Sequence, residues 1–456
     1  MKKTIGMPWT YGTLFVMLFS ILLSIQLGYS AYYGLMISII FIGAVVHSHG
    51  YTPKEIANML GKGIKSAWIV LVVMALIGIL IGLWMMGGTI PTMMYLGFRY
   101  LSDLNFILAA FLITSMVSMV LGTSLGTMGT VGMALVGIGK GLSIPLPLLV
   151  GAIVSGGYFG DRSSPMSSSA NLTAVVTETK LPDNLRHMAA TITPVFILCT
   201  IFYAIAGRFY AVHGPNPEIM ELQHMLATYF PIHWMMLIPP LMIMVMAIFR
   251  FPMLHSLIVG LLASLGIILF QQQFSFSQIL EAALLGFQHP IPEVSAILSG
   301  GGLLSMKNVI LIIASSTALN GILDGTRMIE PLIHKFIAKT KNSGDLILRT
   351  SFLSFIIAVI TCNQTLAVII PGKFLQKVFR EHQISLNTLA RTIADSGIVL
   401  VPLIPWNVNG VIITAMFGIS ISAFAPYALL TYLTPLCTLA FGYMGLVKKD
   451  CVNVSL

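Results

Sequence analysis

Two aspartates stand inside otherwise apolar stretches of this 456-residue chain, each beside residues that interrupt helices. Asp161 lies in GGYFGDRSSP, where Gly156, Gly157, Gly160 and Pro165 predict a broken helix. Asp395 lies in RTIADSGIVLVPLIPWN, with prolines beyond it. A break exposes backbone carbonyls and half-helix ends, and a carboxylate beside them completes an all-oxygen ligand set. Hard cations such as Na⁺ favour oxygen ligands, by the logic that holds for Ca²⁺ and Mg²⁺. Burial penalises the bare charge, and a carboxylate at the centre of a bilayer costs about 2.5 kcal/mol or more to insert. Such a group can bind H⁺ or Na⁺ in competition.

The surrounding chain is 57% hydrophobic and 9% charged, where an ordinary soluble domain is about a quarter charged. Apolar stretches of about 20 residues, the length of a transmembrane helix, recur from end to end. The reading is one all-α polytopic membrane domain over residues 1–456. The stretch from Trp9 to Tyr29 follows Lys2 and Lys3 as a signal peptide would. It is long enough to span and lacks a small-residue cleavage site, so it is expected to be retained as the first helix. The net charge of +9 sits in loops rather than in a basic cluster interleaved with aromatics, which excludes nucleic acid as a partner and leaves the lipid bilayer. Cys199, Cys362, Cys437 and Cys451 form no CxxC pair. The 28 methionines are read as packing. No cofactor is expected, and no HExxH, GxSxG or nucleotide motif points to an enzyme or an ATP-driven pump.

Lys and Arg accumulate in short cytoplasmic loops. Lys2, Lys3, the 47–66 loop with Lys54, Lys62 and Lys65, and the tail at Lys448 and Lys449 should share that side. So should the loops holding Arg327, Lys335, Lys339, Lys341 and Arg349, and Lys373, Lys377, Arg380 and Arg391. The stretches 211–230 and 272–294 contain acids and no Lys or Arg, and should face outside. The basic pI suits a bacterial-type inner membrane with both termini cytoplasmic.

Residues 350–372 are long enough to cross yet carry cytoplasmic-type charge on both flanks. Their centre, TCNQT at 361–365, suits the tip of a re-entrant hairpin, because non-helical backbone at membrane depth needs a protein-lined or wet cavity. Residues 104–139, flanked by Asp103 and Lys140, have the same character around GTSLGTMGT at 122–130. Counting crossings gives about ten spans, with the two hairpins inserted from opposite faces. Thr127 precedes Asp161 by 34 residues, and Thr361 precedes Asp395 by the same interval. Residues of about 67–171 and about 295–410 are therefore read as two inverted copies, each with a hairpin and a broken helix. Inverted repeats with discontinuous helices are a recurring plan of secondary transporters, whose substrate and coupling ions bind near the midplane.

Asp161 and Asp395 are the expected ion-coupling and proton-binding groups, with Na⁺ near both. Oxygens are expected from Ser124, Thr127, Thr130, Ser164, Ser167, Asn363, Gln364, Thr365 and Asn407. Plainer accounts exist for each. Asp161 could pair with Arg162, and Asp395 with Arg391 at helical ion-pair spacing. Hydroxyls and amides also cap half-helices and join helices. Trp406 could line the site or anchor an interface, and His47 and His49 form an H-x-H with either a pH-sensing role or a place in a solvated loop.

The stretches GILIGLWMMGGTIPTMMYLG (78–97), GTSLGTMGTVGMAL (122–135), YFGDRSSPMSSSANLTA (158–174), SGGGLLSM (299–306) and RTIADSGIVLVPLIPWNVNG (391–410) carry a resemblance. Over most of its length the chain resembles the NhaC-type sodium/proton antiporters, within a superfamily of two-hairpin ion transporters. The resemblance implies Na⁺/H⁺ exchange by alternating access, and a homodimer. Relatives in that superfamily exchange malate for lactate or take up amino acids with Na⁺, so a Na⁺-coupled carrier of an organic acid or amino acid is the alternative. Ser168 and Ala394 stand where the family pattern usually has acids. Lys307 stands where it has an apolar residue, and supplies a cation that an anionic cargo would need.

Overall fold

The computed structural model describes residues 5–101, 105–142, 144–210, 217–249, 251–271, 274–328, 340 and 342–446. Lys2, Lys3, Asp103, Lys335, Lys339, Lys341, Lys448, Lys449 and Cys451 lie outside the described residues. Among the described residues the chain is almost wholly helical, and its strands are Phe287–Gln288 and Ser299–Gly300, paired antiparallel. Seven helices are long and apolar enough to cross a membrane, or up to ten if each of three bent pairs counts as one span. The chain is a multi-pass membrane protein.

The first two spans, Met7–Gln26 and Ala31–Ser48, show how its helices hold together where lipid offers no hydrophobic driving force. Phe15, Phe19 and Ile40 point outward. On the inner face Gly34 of the second span sits against the first so closely that a Cβ would lie 2.5 Å from the Ser20 carbonyl oxygen. That approach lets the Ser20 and Ser38 hydroxyls meet at 3.0 Å.

The 47–66 loop is mostly a helix, Pro53–Ser66, entered through a capping box between Thr52 and Glu55. His47 Nδ1 lies 2.9 Å from the Tyr51 carbonyl and His49 Nδ1 2.7 Å from that of Val45, which ties both rings to the end of the preceding helix. Pro53–Ser66 crosses helix Lys307–Thr326 at closest range where both carry glycine. A Cβ on Gly63 would lie 2.1 Å from Thr317 O, and one on Gly321 2.2 Å from Met59 O.

Both segments read as hairpins fold back on themselves, each with a turn of the same construction. The first pairs Phe106–Leu121 with an arm that begins at Ser124 and runs through a π-helical segment to Gly141. The second pairs Ser343–Thr361 with Gln364–Phe374, where Ser354 Oγ donates to Ala367 O at 2.7 Å. At the tips, Gly122 and Cys362 are left-handed, with φ of 66° and 53°. Thr123 and Asn363 then extend and cap the returning arm by accepting a backbone N–H. Offset by the same 240 positions, Ser164 and Ile404 leave the helical conformation, Pro165 and Pro405 turn the chain, and Ser167 and Asn407 cap the second half-helices Ser168–Val176 and Val408–Phe417.

This register differs from the 34-residue match. The left-handed tip residues precede Asp161 by 39 positions and Asp395 by 33. At the offset of 240, Asp161 falls on Val401 and Asp395 on Ser155. The two aspartates thus stand at different depths along their helices.

The glycines around Asp161 also play a different part from the expected one. Helix Leu146–Ser163 runs unbroken through Gly156, Gly157 and Gly160, and the break comes after Ser163. A Cβ at Gly156 would lie 2.1 Å from Thr114 Oγ1, and one at Gly160 2.1 Å from Ser118 C. These glycines let the first hairpin arm lie directly on the helix backbone, and Ser118 Oγ donates to Gly157 O across the contact.

Candidate functional site

Asp161 occupies the last turn of helix Leu146–Ser163, buried at 6% exposure. Two hydroxyls hold its carboxylate. Ser124 Oγ, from the first residue of the returning hairpin arm, lies 2.8 Å from Oδ2. Ser167 Oγ lies 3.2 Å from Oδ1 and also contacts the Asp161 carbonyl. Ser167 in turn accepts the N–H groups of Ser169 and Ala170, both at 3.1 Å. One hydroxyl therefore links the start of the second half-helix to the carboxylate, with the positive end of that helix directed at the charge. The break exists so that this contact can form: a continuous helix would carry residue 167 past Asp161 instead of back to it.

The carboxylate borders a cavity of about 330 Å³ where both hairpin tips and both broken helices meet. Thr123, Ser124 and Leu125 come from one tip, and Asn363, Gln364 and Thr365 from the other. Ser168, Ser169, Val408 and Asn409 come from the second half-helices. Asp161 is the one ionisable side chain among the lining residues. In the same cavity lining Asn409 Nδ2 donates to Gln364 Oε1, and Gln364 Nε2 donates to Ser169 Oγ at 2.9 Å. This chain of amides and hydroxyl joins the second tip to both second half-helices at the site. Among the described residues no group of three or more His, Cys, Asp or Glu could hold a metal ion, so a cation here would meet one carboxylate and neutral oxygens.

Of the residues expected from the sequence, Ser124, Asp161, Asn363, Gln364 and Thr365 line this cavity, and Ser167 bonds to its carboxylate. The others lie elsewhere. Thr127 and Thr130 donate to carbonyls one turn back in their own arm, Ser164 donates to Met119 O at 2.6 Å, and Asn407 donates to Ala358 O at 3.1 Å. Trp406 is buried and donates to Val359 O at 2.8 Å, so it braces the second hairpin. Asp395 lies in a π-helical segment, Ala394–Ile398, fully buried and paired with Arg162.

Sequence reasoning missed Thr123, Ser169, Asn409, Thr317 and Ser66. Asn409 and Ser169 each stand two residues past the cap of a second half-helix, a position readable from the break itself. Ser168 also lines the cavity, whereas Ala394 does not. Lys307 stands exposed at the start of its helix. It is ten residues before Thr317, about 15 Å along the axis.

Two further cavities lie on the same helices. One of about 350 Å³ is lined by Glu55, Asn58, Lys62, Asn320 and Asp324 and shares Ser66 with the Asp161 cavity. Another, of about 210 Å³, is lined by Met85, Met94, Met133, Met306, Met416 and Lys140. Between it and the Asp161 cavity, Val73, Met74 and Ile77 on one helix, Ile313 on a second and Val411 and Ile412 on a third form a buried apolar layer. The Asp161 cavity thus adjoins polar space on the side of helix Pro53–Ser66 and apolar side chains on the other.

The sequence pattern of the Na⁺/H⁺ antiporter family matches residues 156–446. The chain is 30% identical over 396 residues to the Na(+)/H(+) antiporter NhaC of Alkalihalophilus pseudofirmus, covering 86% of each. It is equally similar, at 30% over 427 residues, to the arginine/ornithine antiporter ArcD of Halobacterium salinarum, with 92% of this chain and 88% of the relative covered. A malate-2H(+)/Na(+)-lactate antiporter of Bacillus subtilis is 28% identical over 87% of this chain and 85% of its own length. With the family pattern spanning more than half of its residues and such relatives aligned over nearly all of them, the chain belongs to the Na⁺/H⁺ antiporter family.

Proposed function

We propose that this protein exchanges Na⁺ for H⁺ by alternating access, with Asp161 binding the two ions in turn. The observation that carries the reading is the position of Asp161, among the described residues the one ionisable side chain lining the cavity where two hairpin tips and two helix breaks converge. When Na⁺ displaces the proton, the Ser124 and Ser167 hydroxyls can turn their lone pairs to the cation while remaining within reach of the carboxylate. The likeness to NhaC antiporters supports the same ions.

The constant offset of 240 positions between tips and between breaks supports two copies of one unit, and the distribution of Lys and Arg supports their inversion in the membrane. On the same charge rule helix Pro53–Ser66 and both termini face the cytoplasm of a bacterial-type inner membrane. The cavity then opens inward past Ser66 and is closed outward by the apolar layer.

With Asp161 as the one carboxylate among the lining residues, one proton or one Na⁺ is carried at a time. Electroneutral exchange follows. In proteoliposomes of the purified protein, Na⁺ added outside should raise internal pH, at a rate unchanged by an imposed membrane potential. Silence with Na⁺, Li⁺ and K⁺ alike would sink the reading.

A second reading, Na⁺-coupled carriage of a small organic solute, is favoured by the cavity volume of about 330 Å³, which falls in the range of small-molecule sites. The cavity is lined by a carboxylate and amides, with no Lys or Arg among its residues. This favours an amine-bearing solute over a dicarboxylate. Counterflow of labelled basic amino acids, measured in the same vesicles with malate as the comparison, separates the two readings.

A further inference from the structure

Arg162 follows Asp161 in sequence, but its fully buried side chain turns away from the cavity. Its Nε donates to Asp395 Oδ1, and Nη2 donates to Thr191 Oγ1 at 2.9 Å and Met188 O at 3.2 Å. Asp395, also fully buried, accepts from Thr191 at 3.2 Å and from Thr438. Both oxygens of its carboxylate are thus engaged, and it lines no part of the Asp161 cavity. A third charged group shares the region. Arg391, 3% exposed and four residues before Asp395, lies over the Phe441 ring at 5.8 Å in the fields of both Asp395 and Arg162. Its Nε and Nη2 have no hydrogen-bond partner among the described residues.

We propose that Asp395 carries no ion and is a positioning residue: it holds Arg162 off Asp161, which keeps the cavity carboxylate free for its cation. This rests on the reading of Asp161 as the exchange group. A buried guanidinium one residue from that carboxylate, left without Asp395, would pair with it or repel the incoming cation. An opposite charge within a few Å changes a carboxylate's affinity for protons by roughly ten- to a thousandfold, and a competing cation feels the same field. The arrangement is asymmetric. Loss of Arg162 leaves Asp395 with Arg391 one turn away as a second partner, whereas loss of Asp395 strands two guanidinium groups.

The test measures KM for Na⁺ and kcat of exchange in proteoliposomes of the full chain. Asp395→Asn should raise KM by roughly ten- to a hundredfold. Arg162→Gln should stay within about threefold of wild type, as should the Arg162→Gln/Asp395→Asn double variant, which removes the guanidinium adjacent to Asp161 and leaves only Arg391, over the Phe441 ring. If Asp395→Asn does not fold, the double variant decides alone. A double variant that purifies folded yet is as inactive as Asp161→Asn would show that Asp395 itself carries the ion, and an unchanged KM in Asp395→Asn would show that it shields nothing. Either overturns the proposal. Absence of Na⁺/H⁺ exchange in the wild type, or its persistence in Asp161→Asn, is a separate result that overturns the underlying reading instead.

Discussion

Vesicles carrying Asp161→Asn are expected to move no protons when Na⁺ is added, although the variant inserts and purifies like the wild type. Asparagine keeps the shape of the side chain, an oxygen that accepts from one of the Ser124 and Ser167 hydroxyls and an N–H that donates to the other, so the contact between hairpin tip and helix break survives. It removes the charge. Two unit charges 4 Å apart interact by about 4 kcal/mol at an effective dielectric of about 20, and a loss of that size lowers binding roughly a thousandfold. Because Asp161 is the one ionisable residue lining the cavity, no neighbouring carboxylate there replaces it. The amide also cannot take a proton, so both halves of the exchange fail together. Direct Na⁺ binding by the detergent-purified variant checks the first half and internal pH the second. Exchange at even a tenth of the wild-type rate would rule out Asp161 as the carrier.

The second large effect requires no change of charge. Gly122→Ala should reduce exchange about a hundredfold, equivalent to about 3 kcal/mol at the site. An L-residue in the left-handed conformation costs roughly 1–2 kcal/mol, and Gly122 has φ of 66°. The rest comes from contact: a Cβ would lie 2.4 Å from Met166 C and 2.6 Å from Ser167 N. These are backbone atoms that no rotamer change can move. The helix break would have to withdraw from the tip, taking Ser167 away from Asp161. Gly418→Ala is the matched control, since Gly418 has φ of 68° and nothing within 4 Å of its would-be Cβ. It should lose only the conformational part and exchange Na⁺ at close to the wild-type rate. Equal behaviour of the two alanine variants in the proteoliposome assay would mean that packing of tip on break does not hold the site.

The second tip shows that glycine is not obligatory for the turn itself. Cys362 adopts the same left-handed conformation with φ of 53°, and Val408 N donates to its carbonyl at 3.3 Å. A side chain is accommodated there because that break approaches through a hydrogen bond, whereas at the first tip Met166 and Ser167 lie directly against the Cα. The two turns have one backbone construction and different tolerance, which local sequence alone does not distinguish.

The sequence by itself determined the membrane class, the recurrence of span-length helices, the two segments that fold back and the prolines of the two breaks. These depend on run length, on residues that cannot continue a helix and on the cost of burying unsatisfied backbone groups, all local properties. It also placed Asp161 beside a break, and Ser124, Asn363, Gln364 and Thr365 at the tips. Only the tertiary structure decided which aspartate borders the cavity, that Gly156 and Gly160 serve packing rather than breakage, and that Arg162 pairs with Asp395, 233 positions away, instead of with its neighbour. The physical reason is that consecutive residues on a helix point in directions about 100° apart. Asp161 and Arg162 therefore face different neighbours, and the partner of a buried charge is chosen by whichever distant helix packs against that side.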